Sequence, residues 1–493
     1  MLSAIVFIPL IGALLIGVAG RTAPVVRGIA LVAGIVNLVL ALVLFARFST
    51  AEAGFQWVES VDWIPALNIQ YLMGVDGLSA PLLLLAALLG LVAILASWHI
   101  STRVREYFMW LLLLQTAVAG VFVSLDFILF FVFWELELLP MFMLISIWGT
   151  GRREYSAMKF LAYTFLGSAF MLAAILTLYF SLPAADRTFD MRLLAERDLT
   201  GLIIPTSLVF FGFFIAFAIK LPVWPMHTWL PDAHTDAPTA VSIMLAGVLL
   251  KMGGYGLIRI NVGLFPEEIV AYAPLLAGLA TVSVLYGAFA VLRQSDLKRL
   301  VAYSSVSHMG FVLLGVASAG ATGAALTPVG LNGAALQLFT HGTITGLLFV
   351  VVGLVYDRAH TRHIPELGGL MRRMPIIGVG FVVAGLASLG LPSTSGFVAE
   401  LLVFLGTFPV FAWATALSAF GVVLAAGYIL WTVQRTFFGP LQARNNDLPD
   451  AKLVDAVSIA LLLLPIMVVG LYPKLLTDVF DVGILPIISR LGG

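Results

Sequence analysis

The chain has 493 residues, 61% of them hydrophobic and only 11% Asp, Glu, Lys or Arg. A soluble domain carries about 25% charged residues, so composition excludes a water-soluble fold and points to a membrane protein. Basic and acidic residues balance at 26 each, which excludes a basic nucleic-acid binder and an acidic disordered tail. Cysteine is absent, and with it disulfides, thiolate iron–sulfur clusters, cysteine zinc sites and cysteine nucleophiles. Carboxylates, lysines, histidines and water remain to carry the chemistry.

A spanning helix needs about 20 mostly apolar residues. In chain order such runs lie at roughly 2–20, 25–46, 75–97, 106–124, 126–149, 155–182 and 203–221, then 237–260, 269–291, 297–318, 331–356, 376–408, 412–436 and 452–472. Continuous runs such as Leu82–Ala96 lack the alternation of a membrane β-strand. The expected fold is an all-α polytopic membrane protein with about 14 transmembrane helices. The first run has no basic segment before it and reads as a retained span rather than a signal peptide. The longest polar pieces, 47–74, 183–202, 357–375 and 437–451, are too short for cores of their own. The expectation is one membrane domain with loops.

An even number of spans puts both termini on one side. Arg103, Arg105, Arg152, Arg153, Arg372, Arg373 and most other cations fall in odd-numbered loops. The positive-inside rule then sends those loops to the cytoplasm and both termini outward, as in a bacterial inner membrane. On this reading only Lys220 and Lys251 are cations inside spans.

A charge at the bilayer centre costs about 2.5–3.5 kcal/mol on insertion scales, so residues that bear one usually face protein or water and usually function. Glu135 lies some nine residues beyond Asp126, about 14 Å into a core of about 30 Å. Glu137 would point about 200° away on a regular helix, toward another face or an interface; Pro140 follows and kinks the span. Lys220 precedes Leu221-Pro222-Val223-Trp224-Pro225, which cannot continue a helix, and broken backbone at membrane depth must be buried in protein or line a hydrated cavity. Lys251 is followed by Gly253, Gly254 and Gly256, which let a neighbouring helix approach closely. Glu400 follows a second interruption, Leu391-Pro392-Ser393-Thr394-Ser395-Gly396. Structural ion pairs and snorkelling helix ends are the competing readings.

His308 and His341 lie inside spans and His227 in the break after Lys220, where a neutral imidazole can pass protons; hydrogen-bonded packing is the plainer alternative. His99, His234, His360 and His363 lie in loops or at span ends and carry no expected role.

Spans four to eight overlay spans nine to thirteen, with the fourth of each set (spans seven and twelve) interrupted beside an ionisable residue. Five spans per copy invert the second, and matched breaks point to an inverted-repeat transporter. The expected organisation is an N-terminal three-span segment over residues 1–105, a first repeat over 106–260, a second inverted repeat over 261–436, and a C-terminal span and tail over 437–493.

These motifs then converge. Trp134-Glu135-Leu136-Glu137-Leu138-Leu139-Pro140, Trp229-Leu230-Pro231-Asp232-Ala233-His234, Leu249-Leu250-Lys251-Met252-Gly253-Gly254-Tyr255-Gly256, Leu297-Lys298-Arg299 through His308-Met309-Gly310, and Gly396-Phe397-Val398-Ala399-Glu400 resemble the antiporter-like membrane subunits of respiratory complex I, NADH–quinone oxidoreductase. The resemblance spans essentially the whole chain and is nearest to the chain M branch, the counterpart of mitochondrial subunit 4. It implies a proton-translocating subunit of a quinone-reducing translocase with no redox centre of its own, the FMN, iron–sulfur clusters and quinone belonging to other subunits. It implies that Glu135 pairs with Lys220, and that Lys251 connects past His308 and His341 to Glu400. The implied partners are the other membrane-arm subunits, above all two sibling antiporter-like chains. A subunit of a multisubunit Na⁺/H⁺ antiporter is the alternative, but those relatives usually show Lys where this chain has Glu400. A free-standing transporter and a structural scaffold complete the alternatives.

Overall fold

The computed structural model describes residues 1–199, 201–321 and 327–491. Among them, 12 helices are long and apolar enough to cross a membrane. The first are α1 (Leu2–Ala19) and α2 (Ala23–Ala46), followed by a hairpin of β1 (Gln56–Ile64) and β2 (Ile69–Val75). Then come α3 (Ser79–Ala96), α4 (Val104–Val123), α5 (Phe127–Trp148) and α6 (Arg153–Ser181). The expected seventh span is split into α7 (Thr206–Lys220) and α8 (Trp229–Asp236). Next are α9 (Thr239–Val262), α10 (Pro266–Leu292), α11 (Leu297–Gly320) and α12 (Val329–Ala359). The expected twelfth span is likewise two helices, α13 (Pro375–Ser388) and α14 (Ser395–Thr407). The chain ends with α15 (Ala412–Phe438), α16 (Leu453–Leu471) and α17 (Lys474–Leu491).

Two elements differ from the sequence expectation. Residues 56–75 form an antiparallel hairpin rather than an irregular loop, because the strands pair with each other and are tied down by α5: Gln70 N–H donates to the Asp126 carboxylate at 3.0 Å and Leu125 N–H to the Leu72 carbonyl at 3.0 Å. Residues 474–491 form a helix rather than a bare tail. Its apolar residues Leu476, Val479, Phe480, Gly483, Ile484 and Ile487 are buried, at the three- and four-residue spacing that gives a helix one apolar face. Gly483 is required there, since a Cβ would stand 2.3 Å from the Leu78 nitrogen.

Helices α5 and α11 start alike. Asp126 and Asp296 each accept two backbone N–H groups of the first helical turn, satisfying donors that a helix N-terminus leaves free. Each start also pairs with the loop after the following helix. Phe127 N–H donates to the Phe189 carbonyl at 2.9 Å, and Leu297 N–H to the Arg362 carbonyl at 3.0 Å.

The helices divide into an interior and a rim. The most apolar windows of α9 and α12 are 100% buried, whereas that of α16 is 28% buried. Apolar side chains on the rim, such as Leu464 and Phe420, suit contact with lipid or another subunit. Lys251, His308 and His341 sit on the interior helices α9, α11 and α12, and Lys220 and Glu400 on the two broken ones.

Candidate functional site

Lys220 ends α7, where Pro222 and Pro225 stop the helix. The released backbone finds local partners: Leu221 N–H donates to Phe217 O at 2.7 Å, Val223 N–H to Ala218 O at 2.8 Å and Trp224 N–H to Ser283 Oγ at 3.0 Å. The Trp229 indole returns to the Ile219 carbonyl at 2.9 Å. The break thereby keeps its backbone hydrogen bonds, as membrane depth demands; Leu221, Pro222 and Val223 are buried, while Trp224 and Pro225 are exposed.

The Lys220 ammonium is buried and donates to the Glu137 carboxylate, with Trp134 and Phe160 rings 5.1 and 5.6 Å from Nζ. The expected pairing with Glu135 is thus corrected. Pro140 has no N–H to donate, and α5 is divided at Glu137 into two helical segments. Glu137 therefore leaves the facing that a regular helix would give it. Glu135 is only partly buried, has Ser168 and Lys220 as polar neighbours, and keeps one oxygen without a partner. Lys220 stands between two carboxylates and is bonded to one.

Lys251 lies at the centre of α9. Residues Leu245–Leu249 form a π-helical stretch, a distortion that frees carbonyls and often marks functional sites. Lys251 Nζ donates to the Ala246 carbonyl at 2.5 Å and lies in hydrogen-bond contact with His341 Nδ1 at 2.7 Å. The glycines after it act as expected: a Cβ at Gly253 would lie 2.7 Å from the Leu221 nitrogen, and one at Gly254 2.4 Å from Leu338. Gly253 therefore seats α9 directly on the break beyond Lys220.

From His341 the polar groups continue. The His341 and His308 rings lie 5.8 Å apart, and His308 Nδ1 is 3.3 Å from Glu400 Oε1. Ser388 Oγ is 3.2 Å from His308 Nε2. A void of about 10 Å³ lies among His308, Gln337, His341, Ser388 and Glu400, about the size that accepts one water. Glu400 is buried on α14 and faces the second break; Gly390 has φ +77°, and a Cβ there would lie 2.7 Å from Glu400 Oε2. Lys251, His341, His308 and Glu400 thus form one buried run, while Lys220 with Glu137 and Glu135 forms a second cluster across the Gly253 contact. His227 is buried near Tyr286, at 4.9 Å between ring centres, with Nδ1 unpartnered; no bond joins it to either group.

Three buried polar groups escape sequence reasoning. Arg259, at the end of the expected 237–260 run and given no role there, lies buried in α9 and pairs with Asp76 at 2.5 Å. Lys298, at the start of the expected 297–318 run and given no role there, is buried at the start of α11. His234 is buried against Phe349, with ring centres 4.6 Å apart and both ring nitrogens unpartnered. The signals are present in outline: Arg259 ends an apolar run, and His234 closes the Trp229–His234 motif. No metal-binding cluster of His, Asp and Glu occurs among the described residues.

A family model described as NADH:quinone oxidoreductase/Mrp antiporter, TM, matches residues 124–425, and one described as NADH-ubiquinone oxidoreductase chain 4, amino terminus, matches residues 26–120. An NAD(P)H-quinone oxidoreductase chain 4 from Synechococcus elongatus is 44% identical over 98% of this chain and 90% of its own length. The chain belongs to the chain 4/subunit M family of NADH–quinone oxidoreductases. Within that family, subunit M from Rhodobacter capsulatus is 41% identical over 97% of this chain and 94% of its own. A chain in the structure of respiratory complex I from Thermus thermophilus with bound NADH superposes with a TM-score of 0.89 at 29% identity, covering 100% of both chains. The chain 4/subunit M fold thus extends over the whole of this sequence.

Proposed function

We propose that this chain is a proton-translocating, non-redox membrane-arm subunit of an NADH–quinone oxidoreductase, moving protons along its buried charges while other subunits transfer electrons. The observation that carries this reading is the buried run from Lys251 to His341 at 2.7 Å, across the 5.8 Å between the His341 and His308 ring centres, to Glu400 at 3.3 Å from His308. A lysine and a carboxylate at opposite ends of two imidazoles can hand a proton along the line, since each partner's charge biases its neighbour's protonation. The Lys220 cluster supplies the input to that line. When Lys220 leaves one carboxylate for the other, the field at Lys251 changes across the Gly253 contact. Moving one charge against 100 mV takes about 2.3 kcal/mol, well within the interaction energies of buried ion pairs.

The matched starts of α5 and α11 and the matched breaks before α8 and α14 support an inverted pair of five-span repeats. Flavin, iron–sulfur clusters and quinone belong, in this proposal, to partner subunits, and the exposed apolar rim contacts lipid and the sibling membrane-arm chains. The odd-numbered loops face the bacterial cytoplasm and the termini the outer side.

Membership of a multisubunit Na⁺/H⁺ antiporter is the second reading, since the larger family model is described in terms of both assemblies. The amino-terminal match is to the chain 4 model alone, which favours the oxidoreductase. The test is Lys220→Ala in the assembled complex in sealed vesicles, following quinone reduction and vesicle acidification together. The expected result is an assembled complex with most proton transport lost; unchanged proton transport per quinone reduced would overturn the proposal.

A further inference from the structure

On the face formed by the even-numbered loops, a cavity of about 350 Å³ lies between the base of the hairpin, the helical turn Met191–Leu194, the C-terminal end of α9 and the last turns of α17. Its rim carries the exposed residues Glu196 and Arg490, and its floor reaches the buried Asp76 and Arg259. A water requires roughly 10–15 Å³, so the cavity has room for many.

Behind that floor stands Lys251. Lys251, Tyr255 and Arg259 follow one another at four-residue intervals along α9, which stacks them on one side of the helix. Arg259 Nε lies 3.4 Å from the Tyr255 hydroxyl oxygen. At 1.5 Å per residue, Arg259 and Lys251 are only about 12 Å apart along the axis. A proton entering here would reach Lys251 without passing His341, His308 or Glu400, and would short-circuit transport along them.

The floor is built against such entry. An arginine is not deprotonated in a protein, so Arg259 hands no proton on, and its fixed positive charge repels hydronium, as arginines do in selective pores. The Phe55 and Tyr255 rings flank the guanidinium carbon at 5.0 and 5.5 Å. Asp76 offers pocket water no free acceptor site: its carboxylate accepts from Arg259 Nη2 at 2.5 Å, the Leu78 and Ser79 N–H groups at 3.1 Å and Ser79 Oγ at 3.2 Å. The plain explanation is a structural ion pair joining α3 to α9. An apolar pair of similar volume would join them as well, however, and would leave the floor without a charge.

We propose that Arg259, held by Asp76, is an electrostatic plug that keeps protons of the even-loop face from reaching Lys251 directly and so confines them to the His341–His308–Glu400 line. The inference rests on the proton-translocation reading. It gives the pair a role that a purely structural contact lacks: the assembled subunit leaks when both charges are removed.

The test uses the whole complex in sealed vesicles without an electron donor. A pH step is imposed, potassium with valinomycin clamps the potential, and an enclosed pH-sensitive dye follows the decay. Asp76→Asn with Arg259→Gln removes both charges and keeps a side-chain oxygen to cap α3. The expected result is an assembled complex whose pH step decays several-fold faster than in the wild type, with less acidification per quinone reduced. Adding Lys251→Met to this double variant is expected to restore the wild-type decay. A wild-type decay in the double variant, a fast decay that survives Lys251→Met, or lost acidification without a leak would overturn the plug.

A tight double variant alongside lost acidification in Lys220→Ala would leave the translocation reading standing, whereas unchanged acidification in Lys220→Ala would overturn that reading itself. Should the double variant not assemble, Ala195→Cys decides, since Ala195 lines the cavity and the chain has no cysteine of its own. A negatively charged methanethiosulfonate is expected to label this chain faster than a positively charged one of similar size; equal or reversed rates would overturn the plug.

Discussion

Lys251 Nζ lies 2.7 Å from His341 Nδ1, while Nε2 of the same imidazole has no partner. Where Nζ donates to Nδ1, a neutral ring carries its proton on Nε2, the nitrogen left free to pass it on. The ring is thus set to release one proton as it takes another. His341→Ala removes the link while leaving both lysines and all the carboxylates in place. The assembled complex is expected to keep its quinone reductase subunits and to lose proton transport, read by a pH-sensitive dye in sealed vesicles. Normal acidification per quinone reduced would show that the proton bypasses His341.

Glu135 and Glu137 should separate function from stability. Glu137 holds the buried Lys220, and removing one partner of a buried pair costs about 3–5 kcal/mol. Glu137→Gln is therefore expected to lower both thermal stability and proton transport. Glu135, partly buried with a free oxygen, is the alternative acceptor for Lys220. Glu135→Gln leaves the existing pair clamped, so stability is retained and transport lost. Thermal melting of the purified complex and vesicle acidification measure the two effects; equal melting shifts in both variants would refute the division.

Long apolar runs and the Leu221–Pro225 and Leu391–Ser395 interruptions were legible because each element of a spanning helix carries its own hydrophobic signal. Lys220, Lys251 and Glu400 were legible for the converse reason, as charges in apolar surroundings. The Glu137 pairing was not, since it depends on how Pro140 disturbs α5. Arg259 and Lys298 lie near the ends of runs, where a snorkelling cation and a buried one have the same sequence; only Asp76, 183 residues away, reveals Arg259 as paired. The hairpin at 56–75 is not legible because β1 is mostly exposed while β2 is mostly buried, so the two share no common alternation, and the pair gains order from contacts at the start of α5.

Gly390 offers a test of Glu400 that leaves every ionisable group unchanged. Its φ of +77° costs an ordinary residue roughly 1–2 kcal/mol, and an added Cβ would stand 2.7 Å from Glu400 Oε2. Gly390→Ala is expected to push that carboxylate away from His308 and reduce proton transport. Gly427→Ala, where a Cβ meets nothing within 4 Å, is the control and should pump normally. Equal transport in the two variants would show that the position of Glu400 does not limit the proton path.

Asp76 and Arg259 carry a different expectation. Asp76 accepts from Arg259 at 2.5 Å and also from the Leu78 and Ser79 N–H groups at 3.1 Å, holding the start of α3 against the C-terminal end of α9. Asp76→Ala loses the helix cap, worth about 1 kcal/mol, and leaves a buried guanidinium without its carboxylate, at about 3–5 kcal/mol. The double variant Asp76→Ala with Arg259→Met removes both charges, so it should recover most of the second penalty and little of the first. Melting temperatures of the four complexes, wild type, both singles and the double, give the coupling directly. If the double variant melts as low as the sum of the singles requires, the two side chains act independently and the pair does not anchor α9.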